Sequence, residues 1–186
     1  MKILLPKLFV DPAEFGAFPL YFLGGPIRGG GDWQSRMCGT IAHFGPRCFV
    51  ACPNRWSPEH SFANRFMPGE EDRFERQTDW ERCYLDVAGD PDKGERGCII
   101  FWLEPQREDR PPTAGVYARD TLGEIGEWRG RMMSRTGLRV VIGADPEYDQ
   151  RGVNIMQYNF EKALKRSFPI YRTMRATFRA AMSVAE

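Results

Sequence analysis

Histidine is scarce in this sequence: His43 and His60 are the only two in 186 residues. Cys48 and Cys52 have three residues between them, yet no second ligand pair accompanies them, so a metal centre finds little to build on. The cysteines number five, Cys38, Cys48, Cys52, Cys83 and Cys98. An odd count scattered through apolar segments excludes a disulfide framework and reads as buried thiols in a reducing compartment. A basic excess is missing too. Lys and Arg total 26 against 25 Asp and Glu, a formal charge of +1. Proteins that grip a nucleic-acid backbone carry such an excess, so a nucleic-acid polymer is not an expected partner. Nowhere does the chain run to the roughly 20 apolar residues that span a bilayer. Residues 1–7 are too short for a signal peptide and break at Pro6. The expectation is a soluble cytoplasmic protein with no membrane partner.

Repeats and internal boundaries are also absent. One domain is expected over 1–186, with 1–17 as a lead-in arm and 159–186 as a C-terminal helical segment. The apolar fraction, 42%, suffices for a core. Strands are expected at 19–24, 47–52, 98–103 and 138–143. Helices are expected at 33–44, 70–85, 119–134, 159–165 and 171–184, with loops at 53–69, 86–97, 104–117 and 144–152. Trp33, Met37, Ile41 and Phe44 give the first helix its apolar stripe. Cys98-Ile99-Ile100-Phe101-Trp102-Leu103 is continuously apolar, the pattern of a central parallel strand covered on both faces. Alternating strands and helices imply an α/β fold with a central parallel sheet between helical layers. Ligands of such sheets bind beyond the carboxyl ends of the strands. The loops after the strands therefore gather the glycine loop, the start of the third helix and Asn154 toward one pocket.

Phe22-Leu23-Gly24-Gly25-Pro26-Ile27-Arg28-Gly29-Gly30-Gly31 is the most informative stretch. A strand, then glycines, then a helix start exposes backbone N–H groups to an anionic or sugar ligand. A dinucleotide fingerprint is not present: Gly24 and Gly29 hold its first and sixth places, but Gly25 falls second rather than third. Nor is there a Gly-Lys-Ser/Thr phosphate loop. Arg28 has the planar fork that suits a phosphate; equally, it can close a surface turn. Glu124, flanked by Gly123 and Gly126, stands one turn into its helix. A carboxylate there can attack or stabilise an oxocarbenium-like anomeric carbon; spacing alone leaves open an ordinary solvated glutamate. Glu81 follows Trp80, and a carboxylate partly desolvated by an aromatic suits proton transfer. With Trp80 in the core and Glu81 in solvent, the same pair would be plain amphipathic helix. Trp33, Trp56 and Trp102 either stack on a base or pack inside, with packing the default.

In order along 19–158, the chain carries Phe22-Leu23-Gly24-Gly25-Pro26-Ile27, Asp32-Trp33-Gln34, Pro53-Asn54-Arg55 and Trp80-Glu81. Cys98-Ile99-Ile100-Phe101-Trp102, Thr121-Leu122-Gly123-Glu124-Ile125-Gly126 and Val153-Asn154-Ile155-Met156 follow. This ordered set resembles the nucleoside 2-deoxyribosyltransferase-like family. Ile27-Arg28-Gly29-Gly30 is similar to the related deoxynucleoside monophosphate N-glycosidases. The resemblance implies a flavodoxin-like fold and cleavage of a nucleoside N-glycosidic bond, without a cofactor. It implies Glu124 as nucleophile and Glu81 as the group serving the leaving base or orienting the sugar. Gly25, Pro26, Ile27, Arg28, Gly29, Gly30, Trp33 and Thr121 would bind the nucleoside or nucleotide. Asn154 would reach a neighbouring subunit's site, implying a homo-oligomer. Deoxyribosyl transfer to another base is the first expectation. The alternatives are hydrolysis of a nucleoside 5′-monophosphate and a non-catalytic nucleotide-sensing module. Many relatives have serine at Pro26 and an acid or serine at Ala118, and residues 86–97 form an extra stretch.

Overall fold

A computed structural model describes residues 1–6, 10–53, 74–111, 113 and 115–185 of the chain. The expected loop 53–69 lies outside them apart from Pro53, as do Asn54, Arg55, Trp56 and the expected helix start at Glu70.

Six strands form one parallel sheet: β1 (Lys2–Leu4), β2 (Leu20–Gly24), β3 (Phe49–Ala51), β4 (Gly97–Leu103), β5 (Val140–Ala144) and β6 (Ile170–Tyr171). Five α-helices accompany them among the described residues: α1 (Trp33–Phe44), α2 (Phe74–Gly89), α3 (Arg119–Ser134), α4 (Gln150–Leu164) and α5 (Met174–Ala185). The strand order is β1-β3-β2-β4-β5-β6. Without the edge strand β1, this is the 2-1-3-4-5 order of a flavodoxin-like doubly wound sheet. The α/β sandwich expected from the sequence is therefore present.

Side chains alternate faces along each strand, and each face has its own core. Leu20, Phe22, Ile99, Phe101, Leu103, Val140 and Ile142 join α2, α3 and α4 on one side. Tyr21, Leu23, Cys98, Ile100, Trp102 and Val141 join α1 and α5 on the other. β4 is buried along its whole length between β2 and β5, which is why its sequence shows no polar alternation.

Some expectations need correcting. The lead-in arm begins with β1, whose Lys2–Leu4 pair with Phe49–Ala51; three residues are too few for a period to show. Helix α2 runs on to Gly89, so the loop expected from Asp86 starts late. Helix α4 begins at Gln150 rather than at 159, because Asp149 caps it by accepting from the Gly152 N–H at 3.0 Å. Gly152 and Asn154 hid that start. Ile170–Tyr171, partly inside the expected last helix, is instead the edge strand β6.

Candidate functional site

β2 and β4 are neighbours, but the connection after β2 runs outward to β3 whereas that after β4 runs the opposite way to β5. A crevice opens beyond their carboxyl ends at this reversal. A cavity of about 310 Å³ occupies it. Gly24, Gly25, Pro26, Ile27 and Arg28 form one wall, directly after β2. Ala118, Arg119, Asp120, Thr121 and Glu124, around the start of α3, form another. Glu81 of α2 and Arg110 of the β4–α3 connection complete the polar lining.

The glycine loop is held from behind. Trp33 is wholly buried, and its Nε1 donates to the Pro26 carbonyl at 2.7 Å. A Cβ on Gly25 would stand 2.5 Å from both the Trp33 ring and the Trp102 carbonyl oxygen, so only glycine fits. Gly29 and Gly30 do not line the cavity. Gly29, at φ 84°, seats the Arg110 side chain, and its carbonyl accepts from the Arg107 N–H at 2.7 Å. Gly30 lies against the Pro26 carbonyl and the Tyr117 hydroxyl. These glycines let the β4–α3 connection pack down on the loop.

Glu81 is partly buried on α2, and its Oε1 accepts from Gln77 Nε2 at 2.7 Å, one helical turn away. Trp80 points the other way, into the core, with its ring 6.5 Å from Phe22 and 4.7 Å from Tyr84. Glu124 is also partly buried, while Thr121 beside it is buried. Gly123 and Gly126 are exposed and meet nothing within 4 Å. They flank the cavity residue without forming its wall.

Sequence reasoning passed over Arg110. It stands in the loop that follows the strongest strand, and that position was the available signal. Its guanidinium lies 5.5 Å from the Tyr117 ring centroid, and Nη1 donates to the Gly115 carbonyl at 3.3 Å. Burial pushes the Tyr117 phenol well above its ordinary range, helped by the nearby Glu104 charge, so its O–H stays a donor. Among lining side chains, Arg28, Arg110 and Arg119 are matched in number by Glu81, Asp120 and Glu124. Positive and negative groups thus balance. Ala118 holds the left-handed conformation, φ 58°, where the chain turns into α3. That geometry is strained for a residue with a Cβ, and such strain gathers at functional sites.

Asn154 does not join this cavity within one chain. It sits on α4, where its Oδ1 accepts from Arg172 Nη2 at 3.0 Å, in a shallow groove with Arg151, Ile155 and Tyr158. Helix α4 follows β5, one strand outward from the crevice, and packs against α3. Trp33 and Trp102 belong to the core and do not present a face to the cavity. Among the described residues, no group of three His, Cys, Asp or Glu side chains has the arrangement of a metal site. Nor is any described helix long and apolar enough to cross a membrane.

Compared with known proteins, the chain matches no family model, and no curated protein matches it.

Proposed function

We propose that the cavity cleaves the N-glycosidic bond of a nucleoside and passes the 2-deoxyribosyl group to another base. One observation carries this reading: Glu81 and Glu124, on different helices, line the same switch-point cavity, faced by the glycine loop. The ordered motifs that resemble nucleoside 2-deoxyribosyltransferases support it. A Glu124 oxygen bonds to the anomeric carbon as the carbon–nitrogen bond breaks. The electron pair of that bond leaves with the base nitrogen, which takes a proton from the Glu81 carboxyl group. An acceptor base then attacks the same carbon, displaces Glu124 and returns a proton to Glu81. Two inversions retain the anomeric configuration. No step calls for a cofactor.

Asn154 would serve a neighbouring copy. It sits beside Ile155 and Tyr158, whose side chains are 52% and 59% exposed on one chain. Sedimentation should therefore find a homo-oligomer, which Asn154→Ala leaves assembled but impaired. A strictly monomeric active enzyme would remove that role.

The decisive assay follows released base from a panel of nucleosides, with and without an acceptor base. An exchanged nucleoside is expected, and Glu124→Ala should abolish both release and exchange. Full activity in that variant would sink the assignment.

A second reading rests on Arg28 and Arg110 standing in the same lining. Here the substrate is a nucleoside 5′-monophosphate, and water resolves the glycosyl-enzyme. Free sugar phosphate without exchange would favour it. Arg28→Ala should then weaken turnover of the monophosphate far more than that of the nucleoside. Thermal stabilisation by nucleotides without base release would instead identify a binding module.

A further inference from the structure

We propose that Glu104 is a positioning residue for the cavity, latching the β4–α3 connection onto the glycine loop through Arg107. This inference rests on reading the cavity as the substrate site.

Glu104 follows the last residue of β4 and is wholly buried. Its Oε1 accepts from Arg36 Nη2 of α1 at 2.7 Å and from Arg107 Nε at 3.0 Å. Oε2 accepts from Trp102 Nε1 at 2.7 Å. A buried carboxylate is tolerated when its oxygens are filled in this way. Its main-chain carbonyl accepts from the Tyr117 hydroxyl at 2.8 Å. Both ends of the β4–α3 connection are thus tied to one residue.

Arg107 transmits that hold to the ligand wall. Its own N–H and that of Glu108 donate to the Gly29 carbonyl at 2.7 Å and 3.3 Å. The side chain also reaches Asp145 and Glu147 of the β5–α4 connection. Three residues beyond it, Arg110 rests on Gly29 and enters the cavity. Glu104 itself does not line the cavity. Arg36 shares that oxygen from α1, but among the described residues its side chain is not seen to bond Arg107 or the Gly29 carbonyl.

That asymmetry separates positioning from plain stability. Glu104→Gln keeps the volume and an oxygen for Trp102, and removes the charge. It should raise KM about tenfold while kcat stays within about twofold, as expected when ground-state and transition-state binding weaken together. Arg107→Met, at a half-exposed side chain, should give the same split and serves as the test if Glu104→Gln does not fold. The double variant should be no worse than either single one. Arg36→Met should lower the melting temperature with wild-type KM. Equal KM for all three variants and the wild type, or a fall in kcat at constant KM, would overturn the proposal.

Hydrogen exchange provides a readout that needs no substrate. The amides of Arg107 and Glu108 should exchange faster in Glu104→Gln and keep wild-type protection in Arg36→Met. Unchanged protection in Glu104→Gln overturns the latch, whatever the activity. Faster exchange in a protein that releases no base from any nucleoside would sustain the latch and remove the proposed reaction alone.

Discussion

Replacing Gly123, Gly126 and Gly130 together by alanine should stabilise the protein. All three lie inside α3, at least one turn from either end, and are exposed. A Cβ at each would meet nothing within 4 Å. Spacings of three and four put them on one face. Glycine inside a helix costs about 0.8–1.0 kcal/mol relative to alanine, and measured Gly→Ala gains at compatible sites run about 0.4–1 kcal/mol. With no shared neighbours the gains should add, to about 1–3 kcal/mol. For a chain of this length, each kcal/mol raises the melting temperature by roughly 2–4 °C. Thermal melts followed by circular dichroism should show a rise of roughly 2–12 °C for the triple variant, and about a third of that for each single one. Base release should be unaffected, because none of the three lines the cavity. A lower or unchanged melting temperature would refute the reasoning. It would mean that a second copy or another body covers this face and needs the glycines bare.

Gly25→Ala should act in the opposite sense, since its Cβ would strike a backbone carbonyl and a buried ring, each at 2.5 Å. Overpacking of that kind costs about 1–3 kcal/mol, and calorimetry should show it together with weaker nucleoside binding. Trp33→Phe leaves the Pro26 carbonyl without its donor, a loss of about 1–3 kcal/mol. Lost stability at near-constant kcat is expected, whereas unchanged stability with a large rise in KM would mean that Trp33 stacks on substrate. Burial pushes the Cys48 thiol up to about 11, so at pH 8 it should resist alkylation in the folded protein and react on unfolding. Burial opposes ionisation of Asp90, but a hydrogen bond from the Asp92 N–H and the Arg135 guanidinium outweigh it and hold its carboxyl below the usual range. A depressed carboxylate stabilises the fold above its unfolded pKa and loses that contribution as pH falls through the folded value. The urea midpoint of Arg135→Met should therefore fall short of wild type most at pH 7, and the gap should close below about pH 4. A gap constant with pH would exclude Asp90 as the partner that matters.

Helices α1 and α3 were legible to the residue, because four-residue apolar spacing and a polar start mark their bounds. β4 was legible because a strand buried on both faces has no polar positions to confuse its run. The edge strands β1 and β6 were not, since two or three residues carry no period. Around the cavity, the β2 loop, Glu81 and Glu124 were singled out from local pattern, and all three line it. Arg110, Tyr117 and Glu104 were missed for a common reason. Their placement depends on contacts with Gly29, Gly30 and Arg36, from segments far apart in the chain, and no local pattern records such pairings. The convergence expected of Asn154 within one chain does not occur: the order of loops pointed to one pocket, but the sheet places α4 a strand outward.

The glycine loop changes meaning once its neighbours are known. A run of glycines after a strand ordinarily bares N–H groups for an anion. Here Gly29, Gly30 and Gly31 lie under Arg110, Tyr117 and Arg107 instead. Their bareness serves protein packing, and of the loop Gly24 to Arg28 alone line the cavity. An anionic group bound there would consequently meet arginine side chains more than a backbone cradle. Such recognition is tunable: exchanging Arg28 or Arg110 alters the charge of the wall and leaves the carboxylates of α2 and α3 in place. On the proposed function, Glu104 and the glycines would fix where that wall stands, Glu81 and Glu124 would carry the chemistry, and the arginines would select the substrate. Under that proposal, division of labour among three elements that meet at one switch point would let preference for a phosphate vary independently of bond cleavage.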